Sequence, residues 1–171
     1  NKLPNCIVGP DDEVMIPKGS LKLDYEIEIA FVIGKRARYV AEKDALSHIS
    51  GYAICNDISE RAFQAERGGQ WMKGKCAETF GPLGPWLVTA DEVPEPQKLG
   101  MSLDVNGQRR QTGNTETMIF NMDYLLHYIT QFMVLDAATQ ENLERARARG
   151  GGRDTSLLAS LDRTVTPMGA R

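Results

Sequence analysis

An alternation of side chains over residues 24–34 restricts the fold of this chain more than any other feature. One set of alternate positions is apolar, and the other begins with two glutamates and continues with small or branched apolar residues. The first set is Tyr25, Ile27, Ile29, Phe31 and Ile33, and the second is Glu26, Glu28, Ala30 and Val32. Successive side chains of a strand point to opposite faces, so this pattern predicts a β-strand with both glutamates on one face.

The two glutamates allow two interpretations. Carboxylates about 6–7 Å apart repel each other by roughly 2–3 kcal/mol at an effective dielectric of about 20, and a bound divalent cation would reverse that cost. Alternatively, they mark the solvated face of the strand. Ala30 and Val32 continue the same face, which indicates partial burial. The spacing alone leaves both interpretations open.

A second strand is predicted over residues 51–57, and it ends at Asp57. Asp57 is either a ligand at the end of that strand or a turn residue before a helix, for which Ser59 is the expected N-cap. In a helix over residues 60–66, Arg61 and Gln64 share one face. That pair either holds a substrate carboxylate or is an ordinary surface pair.

Lys75 lies in a stretch of small residues, where it could stabilise a developing enolate or oxyanion, although a solvated loop lysine is the simpler reading. Cys76 has no histidine nearby in the sequence to activate it. His48 and His127 are the two imidazoles of the chain, and neither has the spacing of a metal ligand or a triad. A Ser/His/Asp or Cys/His hydrolase is therefore not expected.

Four further elements follow from local patterns. Residues 41–48 are predicted to form a short helix, and residues 81–85 a glycine- and proline-rich loop before a strand at 86–88. Asn106-Gly107 predicts a tight hairpin, because a type I′ turn needs positive φ at both central residues. Apolar spacing between residues 118 and 133 predicts an amphipathic helix.

Length and charge exclude several classes of protein. The 171 residues suffice for one domain with a core, and a net charge of -3 disfavours nucleic acid or an anionic membrane as a partner. No apolar run approaches the roughly 18 residues of a membrane span. The chain starts without a secretory signal, and its three cysteines form no disulfide pattern. We therefore expect reduced thiols and a cytoplasmic protein.

The character of the chain changes near residue 136. All six basic residues beyond that point are arginine, and Gly150–Gly152 interrupt the segment. We accordingly predict a core over residues 1–136 and an Arg-rich tail of undefined structure over residues 137–171.

Taken together, four segments resemble one family. They are the glutamate strand over residues 24–34, Asn56-Asp57-Ile-Ser-Glu-Arg61-Ala-Phe-Gln64, the lysine segment over residues 71–86, and the hairpin with the helix entry over residues 105–120. In order and surroundings they resemble the fumarylacetoacetate hydrolase family, over roughly residues 5–135. Residues 66–71 and 81–86 are most similar to bacterial members named ureidoglycolate lyase or 2,4-diketo-3-deoxy-L-fuconate hydrolase.

The resemblance implies a fold and a set of site residues. The fold would be α+β, a mixed β-sheet roll of the fumarylacetoacetase C-terminal-domain type with a few short helices. Glu26, Glu28 and Asp57 would bind Mg²⁺ or Mn²⁺, with Ca²⁺ as a further candidate. Arg61 and Gln64 would contact the substrate, and Lys75 would stabilise charge on the reacting oxo acid.

The resemblance also implies a function. We expect a hydrolase or lyase that cleaves a C–C bond, decarboxylates or tautomerises a 2-oxo or 1,3-dicarbonyl acid through a metal-bound enolate, and that forms a homodimer. Two departures favour an alternative, a catalytically impaired remnant that binds metal or oligomerises. The family's upstream histidine–glutamate pair is not in the chain, so an N-terminal truncation is expected, and the family's closing strands are replaced by the Arg-rich tail.

Overall fold

The computed structural model describes residues 2–137. Within them the strands are β1 Ile7–Val8, β2 Leu23–Asp24, β3 Ile27–Ile33, β4 Ile49–Asn56, β5 Ser59–Glu60, β6 Gly81–Thr89, β7 Gly100–Val105 and β8 Gln108–Asn114. The α-helices are α1 Arg61–Ala65, α2 Met72–Lys75 and α3 Met122–Thr130. Short 3₁₀ helices occupy Pro4–Cys6, Glu42–His48, Ala90–Glu92, Pro96–Lys98 and Thr115–Thr117.

The strands form one larger sheet and two strand pairs. The four-stranded sheet has the order β1-β6-β4-β3, and β1 runs parallel to β6 with Ile7 opposite Gly81. The pairs β2–β5 and β7–β8 are antiparallel. Parallel and antiparallel pairing with a few short helices confirms the predicted α+β class with mixed sheets.

The described residues divide into two compact units. The first comprises residues 2–28 and 54–86, and the second comprises residues 29–53 and 87–137. The core of the first unit contains Cys6, Ile58 and Phe80, with Val14, Tyr25, Cys76 and Ala77 packed against them. The core of the second unit contains Ala37, Val40, Ala45, Ile49, Tyr52, Met122 and Leu126. Each unit therefore buries apolar side chains of its own.

Two local predictions are wrong, for identifiable reasons. Gly81 begins strand β6 rather than a loop, because its backbone pairs with Ile7. Ser59 does not cap the helix, because it lies in β5, and the side chain of Glu60 accepts the hydrogen bond from the Ala62 N–H instead. Sequence composition favoured a loop and a serine cap, and the pairing of neighbouring segments overrode both.

Other elements are confirmed with shifted ends. β3 begins at Ile27, three residues after the start of the alternation at residue 24. The helix predicted at 41–48 is a seven-residue 3₁₀ helix, Glu42–His48. The hairpin turn is as predicted, with φ of 51° at Asn106 and 75° at Gly107. α3 is shorter than the apolar spacing suggested, and Asn121 caps it by accepting from the Tyr124 N–H at 2.8 Å.

Among residues 2–137 no helix has the length and apolar character needed to cross a bilayer. The Arg-rich tail predicted for residues 137–171 lies, apart from its first residue, outside the described residues. The predicted core boundary at residue 136 stays a prediction.

Candidate metal centre

Three carboxylates meet where β3 begins and β4 ends. Glu26 precedes β3, Glu28 is the second residue of that strand, and Asp57 follows the last residue of β4. The Asp57 N–H donates to the Glu26 carbonyl oxygen at 2.9 Å, which fixes the two segments against each other. One carboxylate oxygen from each of the three residues lies within 4.8 Å of the others. The structure thus brings the three predicted ligands together.

Lys75 reaches the same group from α2. Its Nζ lies 2.5 Å from Glu26 Oε2 and 2.5 Å from Asp57 Oδ2, and its side chain is 6% exposed. The residue before it explains its position, because a Cβ on Gly74 would lie 2.4 Å from the Glu60 carbonyl oxygen. Only glycine lets α2 approach α1 this closely, and that approach delivers Lys75 to the carboxylates.

A second lysine, Lys2, also reaches this group of carboxylates, although it lies 73 residues before Lys75 in the sequence. Its Nζ donates to the carbonyl oxygens of Ile58 at 2.8 Å and Lys75 at 2.7 Å. The same Nζ lies 2.7 Å from Asp57 Oδ1, but that oxygen is buried and accepts no hydrogen bond from the described residues. This role of Lys2 was not predicted, because the residue stands outside every motif of the sequence.

Arg61 and Gln64 lie side by side on α1, as their spacing predicted. Arg61 Nη1 donates to Gln64 Oε1 at 2.9 Å, and Nη2 donates to Glu26 Oε1 at 2.5 Å. Arg61 Nε donates to Asp24 Oδ2 at 2.8 Å. Asp24 received no role from the sequence, although it continues the alternate positions of Glu26 and Glu28 by one step. Arg61 thus contacts the carboxylates directly, and Gln64 is joined to them through Arg61.

The charges of the group shift its pKa values in opposite directions. Burial would raise the pKa of Glu26, but hydrogen bonds from Arg61 and Lys75 lower it to about 2. The pKa of Glu28 is raised instead. The surrounding protein reduces the hydration of its carboxylate, and the charges of Asp57 and Glu26 add to that effect. The residue nevertheless has surface open to solvent. Burial would lower the pKa of Lys75, but its contacts with Asp57 and Glu26 raise it.

These observations fit a divalent cation. Carboxylate oxygens are the ligands that Mg²⁺ and Mn²⁺ prefer, and three of them converge here. Glu28 has no ion pair among the described residues, whereas Asp57 Oδ1 is buried with the Lys2 ammonium 2.7 Å away. A dication would supply the counter-charge that Glu28 lacks. The solvated-strand reading of the glutamates does not account for this convergence.

Neither Cys55 nor His127 has the surroundings of a catalytic nucleophile or base. Burial, with the charges of Glu28 and Asp57, raises the pKa of the Cys55 thiol to about 11, which keeps it protonated. His127 Nδ1 lies 2.7 Å from the Val40 carbonyl oxygen, so this ring is engaged by the backbone.

The chain is similar in sequence to one protein family over most of its length. Residues 1–139 match the family model described as fumarylacetoacetate (FAA) hydrolase C-terminal. A 2,4-didehydro-3-deoxy-L-rhamnonate hydrolase of Sphingomonas sp. (strain SKA58) is 54% identical over 134 residues, which are 78% of this chain and 47% of that protein. The chain spans about half the length of the curated relatives it matches.

Solved structures resemble the fold. A 5-carboxymethyl-2-hydroxymuconate delta-isomerase from Mycobacterium smegmatis matches with a TM-score of 0.74 and 34% identity, over 78% of this chain and 52% of that one. A 2-hydroxyhepta-2,4-diene-1,7-dioate isomerase from Mycobacterium marinum matches with a TM-score of 0.73 and 34% identity, over 78% and 51%.

Proposed function

The chain belongs to the fumarylacetoacetate hydrolase family. From this premise we propose that it is an enzyme, a divalent-metal-dependent hydrolase or lyase acting on a 2-oxo or 1,3-dicarbonyl acid. One observation carries the proposal. Oxygens of Glu26, Glu28 and Asp57 converge within 4.8 Å, and the cationic side chains of Lys75 and Arg61 contact that group directly.

Glu26, Glu28 and Asp57 would hold Mg²⁺ or Mn²⁺. A bound ion of this kind supplies a Lewis acid that polarises the oxygens of an oxo acid and favours its enolate. Ca²⁺ has the same preference for oxygen ligands. Glu28 is the member most open to solvent, so it is the first carboxylate that an incoming cation would meet.

Arg61 and Gln64 would bind the substrate carboxylate. Arg61 Nη1 has two N–H groups and one acceptor among the described residues, Gln64 Oε1. Because Gln64 Oε1 accepts from Arg61, its amide NH₂ would be the group that donates to the substrate, from a side chain that is 6% exposed. The open N–H of Arg61 and the NH₂ of Gln64 are two neighbouring donors, which match the two oxygens of a carboxylate.

Lys75 would offset the negative charge that develops on the reacting acid. Its raised pKa keeps it protonated at neutral pH, and its low exposure limits screening by water. A fixed ammonium in such a place stabilises an enolate or oxyanion more strongly than it would in water.

The relatives support the substrate class. The Sphingomonas relative is named for hydrolysis of a didehydro-deoxy sugar acid, and the two mycobacterial proteins are named as isomerases of muconate and diene-dioate acids. All three names describe organic acids. Enolate stabilisation is common to hydrolysis, decarboxylation and isomerisation, so the proposed site is compatible with each.

The proposal is tested by turnover of oxaloacetate and an acylpyruvate with chelator-treated protein, before and after addition of Mn²⁺ or Mg²⁺. We expect turnover only with metal, and a loss on the order of 100-fold in Glu26→Gln. The matched control is Glu116→Gln, since Glu116 is an exposed glutamate of the Thr115–Thr117 turn. Turnover that persists in chelator would overturn the proposal.

Metal binding without turnover would instead favour the impaired remnant. The proposal further includes a homodimer, to be measured by light scattering, and a cytoplasmic location. The second part is supported by the three cysteines, Cys6, Cys55 and Cys76, none of which forms a disulfide.

A further inference from the structure

Asp24 is held in a fixed position beside Arg61. It ends β2, where it pairs with Ser59 of β5. Asp24 Oδ1 accepts from the N–H of Tyr25 at 3.0 Å, and Oδ2 accepts from Arg61 Nε at 2.8 Å. Arg61 Nη2 lies 2.8 Å from the same Oδ2. One oxygen is thus tied to the local backbone and the other to the guanidinium, so neither partner turns freely.

The other partners of Arg61 have separate tasks under the proposed function. Glu26 contacts Nη2 but is also assigned to the cation, and Gln64 contacts Nη1 but is also assigned to the substrate. Asp24 is the partner of the Arg61 side chain, among the described residues, that has no other assigned task. If Glu26 were engaged by a cation, Asp24 would still hold the Nε side of the guanidinium.

We infer that Asp24 is a positioning residue that aims Arg61 at the substrate carboxylate. The inference rests on the proposed function. Asp24 and Glu26 cover the Nε and Nη2 side of the guanidinium, so the open N–H of Nη1 is directed to the side where Gln64 offers its amide. A guanidinium free to rotate would present that N–H in many directions and would bind a carboxylate less well.

The exposure of the pair indicates what kind of effect to expect. The side chains of Arg61 and Asp24 are 33% and 42% exposed, and ion pairs with such access to water contribute little to folding stability. Loss of Asp24 should therefore change substrate binding while the melting temperature stays nearly constant. That separation distinguishes a positioning role from a structural one.

The experiment compares Asp24→Asn, Asp24→Glu and Asp104→Asn in the full 171-residue chain. Asp104 is the matched control, because it is a half-exposed aspartate that pairs with Arg109 Nε at 2.6 Å. It lies on the β7–β8 hairpin, and none of the residues assigned to the site belongs to that hairpin. KM and kcat for oxaloacetate are measured with saturating Mn²⁺, and the Kd for Mn²⁺ is measured by calorimetry without substrate.

We expect Asp24→Asn to raise KM about tenfold with kcat within about twofold, while the Kd for Mn²⁺ and the melting temperature match those of Asp104→Asn. Asp24→Glu should recover part of the lost affinity. An unchanged KM would overturn the inference. So would a Kd for Mn²⁺ that rises with KM, which would assign Asp24 to the cation. Absence of Mn²⁺-dependent turnover in the unaltered chain would refute the proposed function, and this inference with it.

Discussion

Lys75 holds a single positive charge at the oxygens that the proposal assigns to a doubly charged ion. Glu26 already has a cationic donor on each oxygen, Arg61 at Oε1 and Lys75 at Oε2. Asp57 Oδ2 is likewise occupied by Lys75. The ammonium and the cation therefore compete for the same carboxylates, and only Glu28 is without such a donor among the described residues.

This competition predicts the effect of Lys75→Met. An ammonium a few ångströms from a dication repels it by several kcal/mol at an effective dielectric of about 20, although relocation of the lysine relieves much of that. We expect Mn²⁺ to bind about tenfold more tightly, and the metal-free protein to melt at a lower temperature because the carboxylates lose their counter-charge. Calorimetry and thermal melts check both.

Lys73→Met is the control, since Lys73 is an exposed lysine of the same helix that donates to the Arg67 carbonyl oxygen. Mn²⁺ affinity that is unchanged or weaker in Lys75→Met, relative to this control, would contradict the competition.

Some residues of the candidate site were predictable from the spacing of the sequence, and others were not. Glu26 and Glu28 are two apart on a strand and Arg61 and Gln64 three apart on a helix, so local geometry already grouped them. Lys2 joins Asp57 across 55 residues of chain, and no local pattern reports a contact at that separation. Asp24 was within a motif, but its role depends on the direction of the Arg61 side chain.

Among the secondary-structure elements, the packing of α2 on α1 governs the site. α1 carries Arg61 and Gln64, α2 carries Lys75, and the contact between them passes through Gly74. A Cβ on Gly74 would lie 2.4 Å from the Glu60 carbonyl oxygen and 2.6 Å from Gln64 Cβ. Neither atom is the end of a flexible side chain, so the helices would have to separate.

Gly74→Ala is therefore expected to lower the free energy of unfolding by about 1–3 kcal/mol, as overpacking typically does, and to reduce turnover by moving Lys75. The suitable control is Gly113→Ala in β8, because a Cβ there meets no atom within 4 Å and the backbone has no positive φ. Denaturant unfolding of the two variants gives the comparison. Equal stability of both would show that α2 does not need this close approach.

The same contact shows why element boundaries were harder to predict than the elements themselves. Glu60 is fully buried and accepts hydrogen bonds from the Ser20 hydroxyl and from the N–H groups of Leu21, Lys22 and Ala62. Three of these donors, on residues 20–22, come from a segment about 40 residues earlier. A helix cap supplied in this way depends on tertiary pairing, whereas the alternation of β3 and the Asn106-Gly107 turn depend on neighbouring residues alone.

For the whole molecule, the candidate site lies in one compact unit. The first unit contains all the residues assigned here: Lys2, Asp24, Glu26, Glu28, Asp57, Arg61, Gln64 and Lys75. The convergence of the three carboxylates therefore depends on the packing of this unit around Cys6, Ile58 and Phe80. The resemblance of the ordered motifs to one family predicted the fold class, but the division into two units follows from long-range contacts that no single stretch of sequence encodes.

The central claim is that three acidic side chains of this unit bind one cation, and Mn²⁺ calorimetry on chelator-treated protein tests it most directly. We predict one Mn²⁺ per chain, and an affinity lower by on the order of 100-fold in Asp57→Asn, which preserves shape but removes the charge at the buried oxygens. Glu116→Gln should bind Mn²⁺ like the unaltered chain. Equal Mn²⁺ affinity in Asp57→Asn and the unaltered chain, or no binding by either, would contradict the account.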